Sequence, residues 1–183
     1  MMWQTNIENH YRDAWNAEPD ICRFSAGPIG QLPQGFSILR FSPHGNRKMW
    51  TYATRCMSLP EDSKSIELHM FSPHQADEVV ELLVATAHFH RTATKLDIGH
   101  SVNFGRPWLD ESESEYGLVS LPYLDGPELE ILSLGSSVVN FYWLIPVTSS
   151  EIHFKNERGL ESLEVEFDRV GFDYANPQRK SVI

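Results

Sequence analysis

No stretch of the chain constrains its fold more than Val138-Val-Asn-Phe-Tyr-Trp-Leu-Ile-Pro-Val147, an apolar, aromatic and β-branched run. Such a composition suits a strand buried on both faces, because a strand with one wet side alternates apolar with polar residues. Asn140 is its one strongly polar residue. Pro146 has no N–H for a ladder, so the strand is expected to end or run free there. The residues after Val147 begin as a helix begins: Thr148 caps the exposed N–H groups, and Glu151, three residues on, reaches back to complete a capping box. Lys155 and Arg158 then place positive charge at the helix C-terminus, and Gly159 supplies a left-handed stop.

The rest of the chain supplies partners for that strand. Asn6 can cap a first helix with Ile7, Tyr11, Ala14 and Trp15 on one face. Phe36 to Phe41 and Met49 to Met57 read as a hairpin, and Ser65 to Phe71 alternates so that Ile66, Leu68 and Met70 face inward. Ser72-Pro73-His74-Gln75 has the form of an N-terminal box for the longest helix, whose stripe is Ala76, Val79, Val80, Leu83, Val84 and Ala87. Gly117 to Tyr123 and Leu129 to Leu134 are two further strands. A final helix carries Leu160, Leu163 and Phe167 on one side, before Gly171. Strands and helices interleave without strict alternation. The expectation is an α/β (α+β) fold: a mixed, mainly antiparallel central sheet with helices packed against it. At 183 residues the chain suits one domain over 1–175, followed by a loose tail at 176–183.

Charge and motifs narrow the function. A formal charge of −10 argues against binding nucleic-acid phosphates; it allows a basic protein partner, while the plainer reading is acidity for solubility. Cys22 and Cys56 form neither a CxxC pair nor a disulfide framework. Lacking a signal sequence or a membrane-spanning run, the chain reads as cytoplasmic. His88 and His90 are two apart on a helix and point to different sides, unlike a zinc-binding i, i+4 pair. His100 has no paired carboxylate at zinc-type spacing. His69, His74 and His153 read as surface or helix-end residues. Neither a nucleophile motif nor a phosphate loop is present, so no catalytic residue, cofactor or metal is assigned, and the chain is not expected to be an enzyme. The run Asp110 to Glu115 lacks the alternating ligands and the glycine of a calcium loop. It reads as a solvated loop, or as an acidic contact patch of Asp110, Glu111, Glu113 and Glu115.

Several pieces in order carry a family resemblance. Gly99-His100, Gly105-Arg106-Pro107, Ser120-Leu-Pro122-Tyr123, Trp143-Leu-Ile-Pro146 with Glu151, and Gly159-Leu-Glu-Ser-Leu163 resemble the Suppressor of fused (SUFU) domain family, in its single-domain bacterial form. Trp50 to Thr54 and Ser65 to Leu68 fit the family's earlier strand pair. The resemblance runs from about Phe36 to Asp168, and it departs after Pro107, where the family usually has a small-residue turn. It implies that Gly99, His100, Gly105, Pro107, Pro122, Tyr123, Trp143, Pro146, Glu151 and Gly159 are family-signature, structural residues.

The animal protein of this family holds a transcription-factor peptide as an added strand between two domains. This chain is too short for the second, so that binding is not carried over. Single-domain bacterial relatives are thought to act mainly as immunity proteins, and the resemblance implies a non-enzymatic domain that neutralises a polymorphic toxin by direct binding. The alternatives are an adaptor that recognises an extended peptide by strand addition, and a metal-dependent hydrolase using His88, His90 or His100.

Overall fold

The computed structural model describes residues 2–183. Eight strands, β1 (Asp20–Cys22), β2 (Ser37–Phe41), β3 (Trp50–Arg55), β4 (Ser65–Ser72), β5 (Ser101–Asn103), β6 (Ser114–Ser120), β7 (Ile131–Leu134) and β8 (Ser137–Thr148), form one sheet. Five helices accompany them: α1 (Met2–Trp15), α2 (Asp77–Thr92), α3 (Pro127–Glu130), α4 (Ser149–Arg158) and α5 (Leu160–Val170). The strand order is β1-β2-β3-β4-β8-β6-β5, with β7 paired to the first half of β8. Every pairing is antiparallel except β4 with β8. The mixed, mainly antiparallel sheet is the one expected from the sequence.

The apolar strand β8 is the sheet's spine. Val139, Phe141, Trp143, Ile145 and Val147 are buried on one of its faces, and Tyr142 and Leu144 on the other. The second group joins Ile66, Leu68 and Met70 beneath the apolar stripe of α2. On the opposite face α1 lays Ile7, Tyr11 and Trp15 over Leu39, Phe41 and Phe141, while α4 and α5 bring Ile152, Leu163 and Phe167 onto Trp143 and Ile145. Each of these large apolar side chains contributes about 1.5–3 kcal/mol by leaving water. The layering is therefore helix, sheet, helices.

Of the two outcomes expected at Pro146, the strand does not end but runs free, continuing to Thr148. β4 pairs with β8 only as far as Trp143, and beyond it the Pro146 carbonyl accepts from Arg179 Nη2 at 2.8 Å. Carbonyl and amide of one strand residue point the same way, so the missing N–H falls on the side that no strand occupies. α1 starts four residues before Asn6. The box at Ser72–Gln75 does not form: Ser72 Oγ donates to the His74 carbonyl, α2 starts at Asp77, and Tyr52 Oη accepts the Ala76 N–H. β6 begins at Ser114, inside the acidic run, and stops at Ser120, so Pro122 and Tyr123 lie in the turn after it. Leu129 belongs to α3, not to β7. β4 is buried on both faces and does not alternate. Its second face presents Glu67, whose carboxylate accepts from Thr54 Oγ1, Ser58 Oγ and the Met57 and Ser58 amides.

The segment after residue 175, expected to be loose, holds Arg179 buried against Glu151, with Nη1–Oε1 at 2.7 Å and Nη2–Oε2 at 2.8 Å. Among the described residues no helix is long and apolar enough to cross a membrane.

Candidate functional site

The signature residues are spread along the second half of the sheet and its connections. Trp143 and Pro146 lie in β8. Thr148 and Glu151 form the expected capping box, with Thr148 N donating to Glu151 Oε2 at 2.8 Å and Glu151 N to Thr148 Oγ1 at 3.3 Å. Gly159 sits between α4 and α5 at φ +90°, a backbone value that side-chain-bearing residues rarely adopt. Gly99 donates its N–H to the Val119 carbonyl at 2.8 Å and accepts from Lys155 Nζ at 2.7 Å, which ties the start of β5 to both β6 and α4. Gly105, Pro107 and His100 are exposed in the connections around β5, Pro122 is buried and Tyr123 is exposed. They do not converge on one site; only Trp143 and Tyr123 of the set share a groove.

The histidines are not brought together either. His90 is buried at the end of α2, and its Nδ1 accepts the Leu96 N–H at 2.9 Å. Burial, with Lys95 and Arg91 nearby, pushes it down to about 4, so it is neutral and holds the turn after the helix. His88 Nε2 meets Gln31 Oε1 at 2.9 Å on another side of that helix, and His100 is exposed in the turn before β5. Among the described residues no three His, Cys, Asp or Glu side chains gather as a metal site would require. His69, which reads as a surface residue in the sequence, is fully buried on β4. It lies 3.7 Å from Asp125 Oδ2, but burial, and then Arg47, push it down to about 3. The contact is therefore not an ion pair. Asp125 is bound instead by Arg47 and by Trp15 Nε1 at 2.9 Å.

The acidic run is partly engaged by the chain itself. Glu113 pairs with Lys180, and Glu111 Oε2 accepts from Gln178 Nε2 at 2.6 Å. Asp110 and Glu115 are exposed, whereas Ser112 and Ser114 between them are buried. The run is thus a bent acidic edge closed against the C-terminal segment.

One concavity combines apolar walls with convergent polar groups. It is a groove of about 480 Å³ between α5, the end of β6, the middle of β8 and the chain after Gly171. Trp143 and Ile145 line it from the sheet, Val165 and Phe167 from α5, and Phe172 and Tyr174 from the segment beyond. Tyr174 meets Trp143 edge-on with ring centroids 5.3 Å apart, and Phe172 stacks on Phe167 at 4.2 Å. Glu161, Glu164 and Asp168 of α5 stand along one side. Glu164 accepts from Ser120 Oγ at 2.9 Å and from Tyr123 Oη at 3.2 Å. Phe172 and Tyr174 are not among the residues expected from the sequence to have a role. Two aromatics placed two residues apart directly after a helix-stopping glycine were the available signal.

The comparisons agree with this architecture. The family model for Suppressor of fused protein (SUFU) matches residues 33–180, a span that includes Arg179. A crystal structure of a SUFU homologue from Neisseria gonorrhoeae FA 1090 is 28% identical, covers 100% of this chain and 98% of its own, and superposes with a TM-score of 0.86. A Sufu–Fu complex is similar at 15% identity and TM-score 0.74, covering 98% of this chain and 92% of that one. Drosophila Suppressor of Fused is similar at 16% identity and TM-score 0.72, over 96% of this chain and 50% of its own length. A search of curated protein sequences finds no match.

Proposed function

Because the chain belongs to the Suppressor of fused family, we propose that it works in the cytoplasm by binding another protein, as an immunity protein that neutralises a toxin by direct contact. The observation that carries this reading is the acidic surface. The chain has a formal charge of −10, and it exposes Asp110, Glu111, Glu113 and Glu115 along one edge. Opposite fields speed encounter and disfavour wrong partners, which is what a protein must do to intercept a basic enzyme. The test is capture of the partner from native host cells, followed by co-expression of the two. Restored growth of cells expressing the captured partner supports the reading. A partner that is not toxic, or whose toxicity persists in the complex, overturns the immunity role.

Strand addition is the second reading, and one observation favours it. β5 is an edge strand, and a groove of about 310 Å³ runs beside it, lined by Leu82, Phe89, Val102 and Phe104. An extended peptide could pair with this edge and seat side chains against α2. Loss of partner binding on placing proline at Ser101 or Asn103, with the fold intact, would distinguish this mode from contact through the acidic edge.

A further inference from the structure

We infer that the α5 groove is a docking site for a basic segment of a partner protein, one that inserts an arginine or lysine side chain flanked by apolar residues. The inference rests on the protein-binding reading and narrows it to a surface and a chemistry.

Charge beside aromatic surface supports it. Glu161, Glu164 and Asp168 project from successive turns of α5 along one side of the groove, and Phe172 and Tyr174 line it together with Trp143. A long cationic side chain suits both at once: its methylene stem packs on the rings and its charged head reaches the carboxylates. An acidic or purely apolar segment satisfies only part of this lining.

The test uses two synthetic peptides, acetyl-Gly-Leu-Arg-Leu-Gly-amide and the same peptide with glutamate in place of arginine. The full chain is labelled with nitrogen-15, and Trp143→Phe identifies the Trp143 indole signal among those of the tryptophans. The arginine peptide is expected to shift that signal saturably at millimolar concentration, and the glutamate peptide is not. The combined Glu161→Gln, Glu164→Gln and Asp168→Asn variant is expected to weaken the arginine peptide by about tenfold at low salt. These surface changes leave the apolar walls in place, and an unchanged near-ultraviolet spectrum checks that. No saturable shift, equal binding of both peptides, or no weakening in the triple variant overturns the inference. A captured partner that binds the triple variant as tightly as the natural chain also overturns the groove, while leaving the protein-binding reading standing. A saturable arginine-peptide shift without any recoverable partner does the reverse.

Discussion

Arg179 and Glu151 form a two-bonded ion pair inside the protein, with side chains 7% and 0% exposed. Glu151 at the same time accepts the Thr148 N–H that begins α4 and the Val182 N–H of the C-terminal segment. One carboxylate thus joins the capping box, the free side of β8 and the end of the chain. Removing Arg179 leaves that carboxylate buried with half its donors. Arg179→Ala is expected to cost about 3–5 kcal/mol, the usual consequence of stripping one partner from a buried pair. Urea unfolding checks it. A loss below about 1 kcal/mol would mean the segment after residue 175 is as loose as its composition suggests.

Gly117 sits opposite Pro146 in the β6–β8 register. A Cβ placed there would lie 2.6 Å from Phe104 Cζ and 2.7 Å from Leu144 Cδ1. Gly117→Ala should therefore destabilise by about 1–3 kcal/mol through overpacking, which outweighs the roughly 0.4–1 kcal/mol that alanine gains by narrowing the unfolded chain at this ordinary backbone position. Trimming the neighbour in a Gly117→Ala, Leu144→Ala double variant should cost less than the two separate losses predict, because both changes act on one space. Additive losses would place the strain elsewhere.

The buried histidines predict an acid-sensitive fold. His69 and His90 are held down to about 3 and about 4, below the ordinary histidine value of 6.5. Below pH 6.5 the unfolded chain takes up protons that the folded chain refuses. Their stabilising effect is therefore complete above that pH and falls away toward pH 4. Glu67 acts in the opposite sense: burial pushes it up to about 7, so its effect on stability worsens as the pH rises from 4.5 to 7. Single variants separate the two. His69→Leu cannot protonate and should flatten the acid limb of stability against pH, whereas Glu67→Gln should steepen it. Chemical denaturation at pH 5 and pH 7.5 distinguishes the slopes. An unchanged slope in His69→Leu would mean that His69 titrates normally.

Asp110 and Glu115 make no side-chain bond among the described residues, whereas Glu111 and Glu113 are tied to Gln178 and Lys180. Reversing Asp110 and Glu115 to lysine should slow association with a basic partner by about tenfold at low salt and flatten its salt dependence. Stability should barely change. Stopped-flow mixing with the captured partner measures this. Association that is equally fast in the variant removes the acidic edge from the recognition step.

How much of this was legible in the sequence depends on the range of the interaction involved. β8, the Thr148–Glu151 box and the stripe of α2 were all readable, because their signals lie within a few residues of one another. The start of α2 was not, since the hydroxyl that meets the Ala76 amide belongs to Tyr52, far away on β3. His69 looked like a surface residue because alternation along β4 suggested one wet face; Trp15 of α1, Asp125, Arg47 and Tyr174, all distant in sequence, remove that face from water. The same limit hid the groove. Trp143 was readable as a buried aromatic, but its pairing with Tyr174 joins a strand to a segment 31 residues later that carries no secondary-structure signal of its own.

The parallel contact between β4 and β8 has a consequence for how the molecule comes into being. Ser65 and Asn140, bonded across that contact, are 75 residues apart, and the chain between them contributes α2, β5, β6, α3 and β7. The innermost seam of the sheet is thus a long loop closure, whose entropy must be lost before its contacts can repay it. Local hairpins such as β2–β3 can form early, but the two halves of the sheet meet only when that loop closes. Renaturation should therefore be slow for a domain of this size and should end in one cooperative step. A cell that needs this protein promptly must therefore hold it already folded.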